Sequence, residues 1–208
     1  MDSKRTIDYV LNCQWFGTDI LFGLMYEYIS PYQSLLDIGI GTGLSSKLFN
    51  QYGLAIYGID GSEEMIKISR NKTIAKDFRQ VNLTQNDAWF ENKIFDHIIS
   101  HGVFHLIGDL NYIFNETSRI LRQNGCFGFT YEGFNKSTDD FRQTSIEGIY
   151  ECQNLQSGIK EYRHTENYIL GLIEKNGFQV LKMTEFLAFV DLKTKQKTYF
   201  NIIIAKLK

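Results

Sequence analysis

Residues 34–43 read SLLDIGIGTG, and no other segment narrows the fold as far. Ser34 to Ile38 is short and mostly apolar, without the polar alternation of a strand that has one wet face. Such a run reads as a strand covered on both sides. Gly39, Gly41 and Gly43 follow at once, and Leu44 to Tyr52 then shows helical spacing. Strand, glycine turn and helix in that order form a βα unit. Its turn can bend sharply and admit a ligand close to the backbone, and the helix start offers unpaired N–H groups.

The alternation continues along the chain. Leu54 to Ile59 is a second strand, closed by Asp60. Ser62 opens a helix that runs to Asn71, with Glu63 and Glu64 in the first turn, where the dipole favours carboxylates. Phe78 to Leu83 and Phe95 to Ser100 are the third and fourth strands, and Asp109 to Arg122 fits a helix stopped by Asn124-Gly125. Cys126 to Tyr131 is the fifth strand. Thr165 to Asn176 is a further helix, stopped by Gly177, and Gln179 to Phe189 and Thr198 to Lys206 are the last strands. The short polar turn at 193–196 permits only an antiparallel hairpin between those two.

The expected class is therefore α/β: a Rossmann-like seven-stranded mixed sheet with helices on both faces. It is mostly parallel, with one antiparallel strand near the edge. We expect a single domain over residues 1–208, made of a helical cap (1–33), a core (34–133), an insertion or lid (134–163) and a closing helix with hairpin (164–208). Open α/β sheets bind ligands at the C-terminal ends of their strands, so an insertion leaving the fifth strand is well placed as a lid or substrate wall.

Charge and cysteine usage remove several function classes. Lys and Arg total 22 against 24 for Asp and Glu, a net charge of −2, so no overall basic field favours nucleic acid. Cys13, Cys126 and Cys152 have no knuckle spacing, so we expect reduced thiols, no metal and a cytoplasmic location. We expect neither a signal peptide nor a membrane span, since the apolar runs are only a few residues long. The oligomeric state has no signature in the sequence.

Asp60 stands where an acid at the end of the second strand accepts hydrogen bonds from both hydroxyls of an adenosine ribose. The loop and this acid together fit two ligands, a dinucleotide or S-adenosylmethionine. Two residues separate them. The dinucleotide fingerprint asks for a glycine where this chain has Leu44, and Asp37 would repel a pyrophosphate. The same carboxylate suits the ammonium group of a methionine moiety.

Four segments together resemble the class I S-adenosylmethionine-dependent methyltransferases of small-molecule type: LLDIGIGTG (35–43), YGIDGSEEMI (57–66), FDHIISHGVFHLIGD (95–109) and LRQNGCFGFTYE (121–132). A fifth, HTENYILGLIEKNGFQVLKM (164–183), is similar to the helix and strand that precede the final hairpin in that family. The resemblance implies S-adenosylmethionine as cofactor, and an antiparallel last strand inserted beside the fifth. Carried over by position, it places Asp37, Gly39, Gly41, Gly43, Asp60, Gly61, Met65, Asn82, Leu83, Ser100 and His101 at the cofactor. Asn82 stands where the family often has an acid that contacts the adenine amine. The fourth strand lacks the Asn/Asp-Pro-Pro-Tyr signature of base-amine methylation, which favours a small-molecule acceptor.

Methyl transfer is an in-line displacement at an activated sulfonium carbon, so the chain's main work is positioning and excluding water. A base is needed only where the acceptor must lose a proton. His105, His101, Glu132 and His164 are the candidates, with Arg163 beside His164 able to face an acidic substrate. His97 alternates with apolar neighbours and reads as structural. Tyr9, Trp15 and Phe16 are aromatic residues able to cover a sulfonium, as are Tyr150 and Tyr162 in the insertion. The alternatives are a dinucleotide-dependent oxidoreductase and a non-catalytic S-adenosylmethionine-binding regulator or subunit.

Overall fold

The computed structural model describes residues 16–72, 74–85, 88–136, 140–153, 158–190, 195 and 197–208. Helix α1 (Gly17–Met25) and a 3-10 turn (Tyr26–Tyr28) lead into strand β1 (Ser34–Ile38). Helix α2 (Lys47–Tyr52), β2 (Ala55–Asp60), α3 (Glu63–Asn71), β3 (Asp77–Gln80) and β4 (Phe95–Ser100) follow. Next come α4 (Asn111–Ile120) and β5 (Leu121–Tyr131). The insertion forms β6 (Arg142–Gln143), β7 (Ile149–Gln153) and β8 (Lys160–His164). The chain closes with α5 (Glu166–Lys175), β9 (Phe178–Val190) and β10 (Lys197–Leu207).

Seven strands form one sheet in the order β3-β2-β1-β4-β5-β10-β9. The first five pair in parallel, while β10 runs antiparallel to both β5 and β9. The mixed sheet expected from the sequence is thus present, with the reversed strand one place in from the edge. Each central strand feeds two layers, because successive side chains point to opposite faces. Leu36, Ile98, Phe127 and Ile203 join one buried cluster with Phe114 of α4 and Leu172 of α5. Leu35, Ile99, Cys126 and Ile202 join the other with Leu21 and Met25 of α1 and Phe49 of α2.

Several boundaries differ from the sequence expectation. The helix after the glycine turn begins at Lys47, not Leu44, because Gly43 keeps φ at +79° and Ser46 turns its side chain inward. The third strand is shorter than Phe78–Leu83. The helix expected to reach Arg122 stops at Ile120, and Leu121 already pairs with Phe95. Asn124, at φ +64°, therefore sits in an irregularity of β5 rather than capping a helix. Of the expected helical cap over 1–33, residues 1–15, with Tyr9, Cys13 and Trp15, lie outside the described residues. Phe16 is 58% exposed at the start of α1.

The segment 134–163 builds the antiparallel sheet β6-β7-β8. Its last strand returns to the main sheet. His164 N–H donates to Glu132 O at 3.1 Å and Phe134 N–H to His164 O at 3.2 Å, a short parallel extension beside the end of β5. Phe134 and Tyr150 stack inside the insertion with centroids 3.5 Å apart, and Tyr162 packs on Gly108, where no Cβ would fit.

Candidate active site

Beyond β1 the main chain folds back on itself. Gly39 and Ile40 both donate to the carbonyl of Ile59, at 2.8 and 3.0 Å. Gly39 has φ +73°, and a Cβ there would collide with Val103. Gly41 has φ +53°, and a Cβ there would meet only Gly39 O at 3.9 Å, so this side of the turn is open. Asp60 clamps the turn to the start of α3: Oδ2 accepts from Gly41 N–H and Oδ1 from Ser62 N–H, each at 2.8 Å. Ser69 Oγ donates to Gly41 O at 2.7 Å, and Lys72 Nζ to Thr42 O at 2.9 Å. The turn is thus held from below with its backbone already in shape.

Asp37 is fully buried beneath this turn. Its Oδ2 accepts from Ser46 Oγ at 2.6 Å, while Oδ1 has no hydrogen-bond partner among the described residues. Burial, opposed by the Ser46 bond and reinforced by the charge of Asp60, pushes this carboxyl up to about 7. A buried carboxylate oxygen with no donor is costly, and a ligand ammonium group would satisfy it.

The other expected cofactor residues lie at the neighbouring strand ends. Gly61 is exposed and Met65 half-buried in the first turn of α3. Asn82 is exposed, and its Oδ1 already accepts from Thr84 N–H and Oγ1, at 3.0 and 2.8 Å. Leu83 is half-buried. Ser100 is buried and donates to Ile38 O at 3.1 Å, bracing β1 against β4. His101 is buried against Gly17 at the start of α1, where a Cβ would come within 2.5 Å of Nε2.

A second polar group gathers past the ends of β4 and β5. Arg163 Nη2 stands 2.5 Å from Glu132 Oε2, and Glu132 Oε1 stands 4.0 Å from His105 Nδ1. His105 packs on Phe200 at 5.9 Å and keeps 23% of its side chain exposed. His164 is fully buried, shares a hydrogen bond with Gly108 O through Nε2 at 2.8 Å and stacks on Tyr168. Burial lowers His101, His105 and His164 to about 4 each, so all three are neutral at pH 7. For His105 the charge of Arg163 adds to the effect of burial. Glu132 and Arg163 line a cleft of about 730 Å³ together with Phe134, Lys197, Tyr199 and Asn201. His97 lies apart from both groups: its Nδ1 accepts from Cys126 N–H at 3.3 Å and its Nε2 donates to Gln33 Oε1 at 2.9 Å.

Residues 36–129 match the family model of a methyltransferase domain. A malonyl-[acyl-carrier protein] O-methyltransferase of Legionella pneumophila is 29% identical over 156 residues, covering 74% of this chain and 50% of that protein. Together these likenesses support a class I S-adenosylmethionine-dependent methyltransferase. A demethylmenaquinone methyltransferase of Tropheryma whipplei is 32% identical over 99 residues, 47% of this chain and 41% of that protein. The chain therefore spans half or less of the length of these two relatives. A crystal structure of an S-adenosylmethionine-dependent methyltransferase from Methanosarcina mazei superposes with a TM-score of 0.73 at 20% identity, covering 88% of this chain and 96% of that one.

The residues present fit the cofactor of this methyltransferase class. The orphan Oδ1 of Asp37 suits an ammonium group, the side of Gly41 away from Gly39 O is open, and the Asp60 carboxylate borders the same turn. Sequence reasoning missed Ser46, the only hydrogen-bond donor to the Asp37 side chain among the described residues. It also missed the link between Arg163 and Glu132. The signal for Ser46 was a serine just past the glycine turn, readable equally as a helix cap. No spacing rule brings residues 132 and 163 together.

Proposed function

We propose that this methyltransferase binds S-adenosylmethionine across the Gly39–Gly43 turn and transfers its methyl group to a small-molecule acceptor. The buried, unpartnered Oδ1 of Asp37 carries this reading. It argues against a dinucleotide, whose pyrophosphate would meet a buried carboxyl group with one oxygen left without a donor. The cofactor supplies a methyl group on a positively charged sulfur. The chain fixes the donor's ammonium at Asp37 and its ribose at Asp60. It also shields the reaction from water with the insertion β6–β8, which serves as the acceptor's wall beside the 730 Å³ cleft.

For an acceptor that carries a proton, His105 is the base. His164 has its Nε2 engaged by Gly108, Glu132 is paired with Arg163, and His101 is buried against α1, whereas His105 is neutral and partly open. The relatives named for demethylmenaquinone and for malonyl-[acyl-carrier protein] support an acceptor other than nucleic acid, as does the net charge of −2. We place the protein in the cytoplasm, where its free thiols Cys126 and Cys152 would stay reduced. Among the described residues no helix is long and apolar enough to cross a membrane.

Calorimetric titration with S-adenosylmethionine, S-adenosylhomocysteine and NAD tests the reading. Binding of the first two and not the third is expected. Binding of NAD alone would establish the oxidoreductase alternative. Binding of the methyl donor with no turnover across a panel of acceptors would establish the regulator.

A further inference from the structure

We propose that Glu132 is a positioning residue for His105, set in place by an arginine that the insertion delivers. This rests on the methyltransferase reading above. Glu132 and Arg163 are 31 residues apart in sequence, and the insertion exists between them. The short pairing of His164 with Glu132 and Phe134 fixes where β8 ends, and so brings Arg163 to the end of β5. Arg163 holds one carboxylate oxygen at 2.5 Å, and the other oxygen lies 4.0 Å from His105 Nδ1. Only 8% of the Glu132 side chain and 15% of the Arg163 side chain is exposed.

A buried ion pair is poor value as a stabiliser, because desolvation offsets much of its attraction. Its geometry gives it another use. A contraction of about 1 Å would turn the 4.0 Å approach into a hydrogen bond, a tightening common when a site fills. His105 would then carry its proton on Nδ1, bonded to Glu132, and leave Nε2 as the proton acceptor. In the transfer step the acceptor's X–H proton goes to Nε2 as the X–CH3 bond forms and the S–CH3 bond breaks. The S–CH3 electron pair stays on sulfur, which becomes a neutral thioether, and the imidazolium faces the Glu132 carboxylate until its proton leaves to water. The other charged or titratable groups facing His105 are Arg163, His101 and His164. Arg163 opposes its protonation and the two neutral histidines carry no charge to favour it, so Glu132 is the group that can stabilise the imidazolium.

The test is nitrogen NMR of histidine-labelled protein at pH 7.5 with S-adenosylhomocysteine bound. We expect the His105 ring of the wild type in the Nδ1–H form. Glu132→Met should abolish that preference, and so should the double variant Glu132→Met/Arg163→Met, which leaves no lone buried charge if the single variant fails to fold. Arg163→Met alone should raise the His105 pKa, because the carboxylate is no longer shared. Affinity for S-adenosylhomocysteine should stay within about twofold of wild type throughout. A wild-type ring in the Nε2–H form, or a tautomer unchanged in the double variant, overturns the proposal while leaving the cofactor reading intact. Failure of the wild type to bind S-adenosylhomocysteine overturns the methyltransferase reading itself.

Discussion

Ser46 donates its hydroxyl proton to Asp37 Oδ2 across 2.6 Å, and the same bond draws the chain after the glycine turn down against β1. The other oxygen of Asp37 stays buried without a donor, and the carboxyl rises from 3.8 to about 7. A pKa raised on folding favours the folded state fully below 3.8, and this contribution is lost as pH climbs through 7. An ammonium group reverses that preference, since it needs the ionised form. Affinity for S-adenosylmethionine should therefore fall as pH drops below 7, with protons released on binding. Titrations at pH 6.5 in two buffers of different ionisation heat measure this release, and equal heats in both would contradict it. Ser46→Ala should weaken binding at pH 7 by about tenfold, because its hydroxyl is what lowers the Asp37 pKa.

Asp60 clamps the glycine turn, and on our proposal it also holds the ribose, so its removal should show two effects. Its oxygens accept from Gly41 and Ser62 N–H in the free protein, and its position suits the ribose hydroxyls. Asp60→Ala should cost roughly 3 kcal/mol or more of cofactor binding, over a hundredfold. It should also lower stability by about 1–3 kcal/mol, as two backbone donors lose a charged acceptor. Calorimetry and urea unfolding on one sample separate the two. A variant that unfolds like wild type would mean the clamp contributes nothing to the turn.

The glycine turn, Asp60 and the strands were legible because each is encoded by neighbours: apolar runs, turn residues and an acid at a strand end. What escaped was set at long range. Nothing between residues 134 and 163 announces a three-stranded sheet, because its strands are short, polar and held by pairing with one another. Nothing near Ser46 in the sequence announces that the fold sets it against Asp37. Asn82 reads as a free acceptor until Thr84 is seen to occupy it. Arg122 reads as the end of a helix, yet Leu121 has already joined β5. In each case a tertiary contact outweighed the local preference.

Gly39 and Gly41 both have positive φ but should fail differently as alanine. Gly39→Ala adds a collision with Val103 to the backbone cost, so it should lose about 2–4 kcal/mol of stability. Gly41→Ala meets open space and should lose only about 1–2 kcal/mol, the cost of the left-handed conformation. Its cofactor affinity should nonetheless fall at least as far, because its methyl group enters the ligand's side of the turn. Equal affinities for wild type and Gly41→Ala, measured well below the unfolding midpoint, would place the cofactor elsewhere.

His97 is the structural histidine, and it should govern part of the acid sensitivity. Its ring accepts from Cys126 N–H and donates to Gln33, so it is neutral with the proton on Nε2. Burial, opposed by the nearby charge of Asp96, lowers its pKa from 6.5 to about 4. A pKa lowered on folding contributes stability that is fully present above 6.5 and is lost as pH falls toward 4. A shift of that size corresponds to roughly 3 kcal/mol. His101, His105 and His164 have the same sign. The urea midpoint should therefore decline steeply between pH 6.5 and 4. His97→Gln should be less stable than wild type at pH 8, where it loses the fitted pair of bonds, and should show a shallower decline on acidification. Parallel pH profiles for the two proteins would show that His97 takes no part in the acid transition.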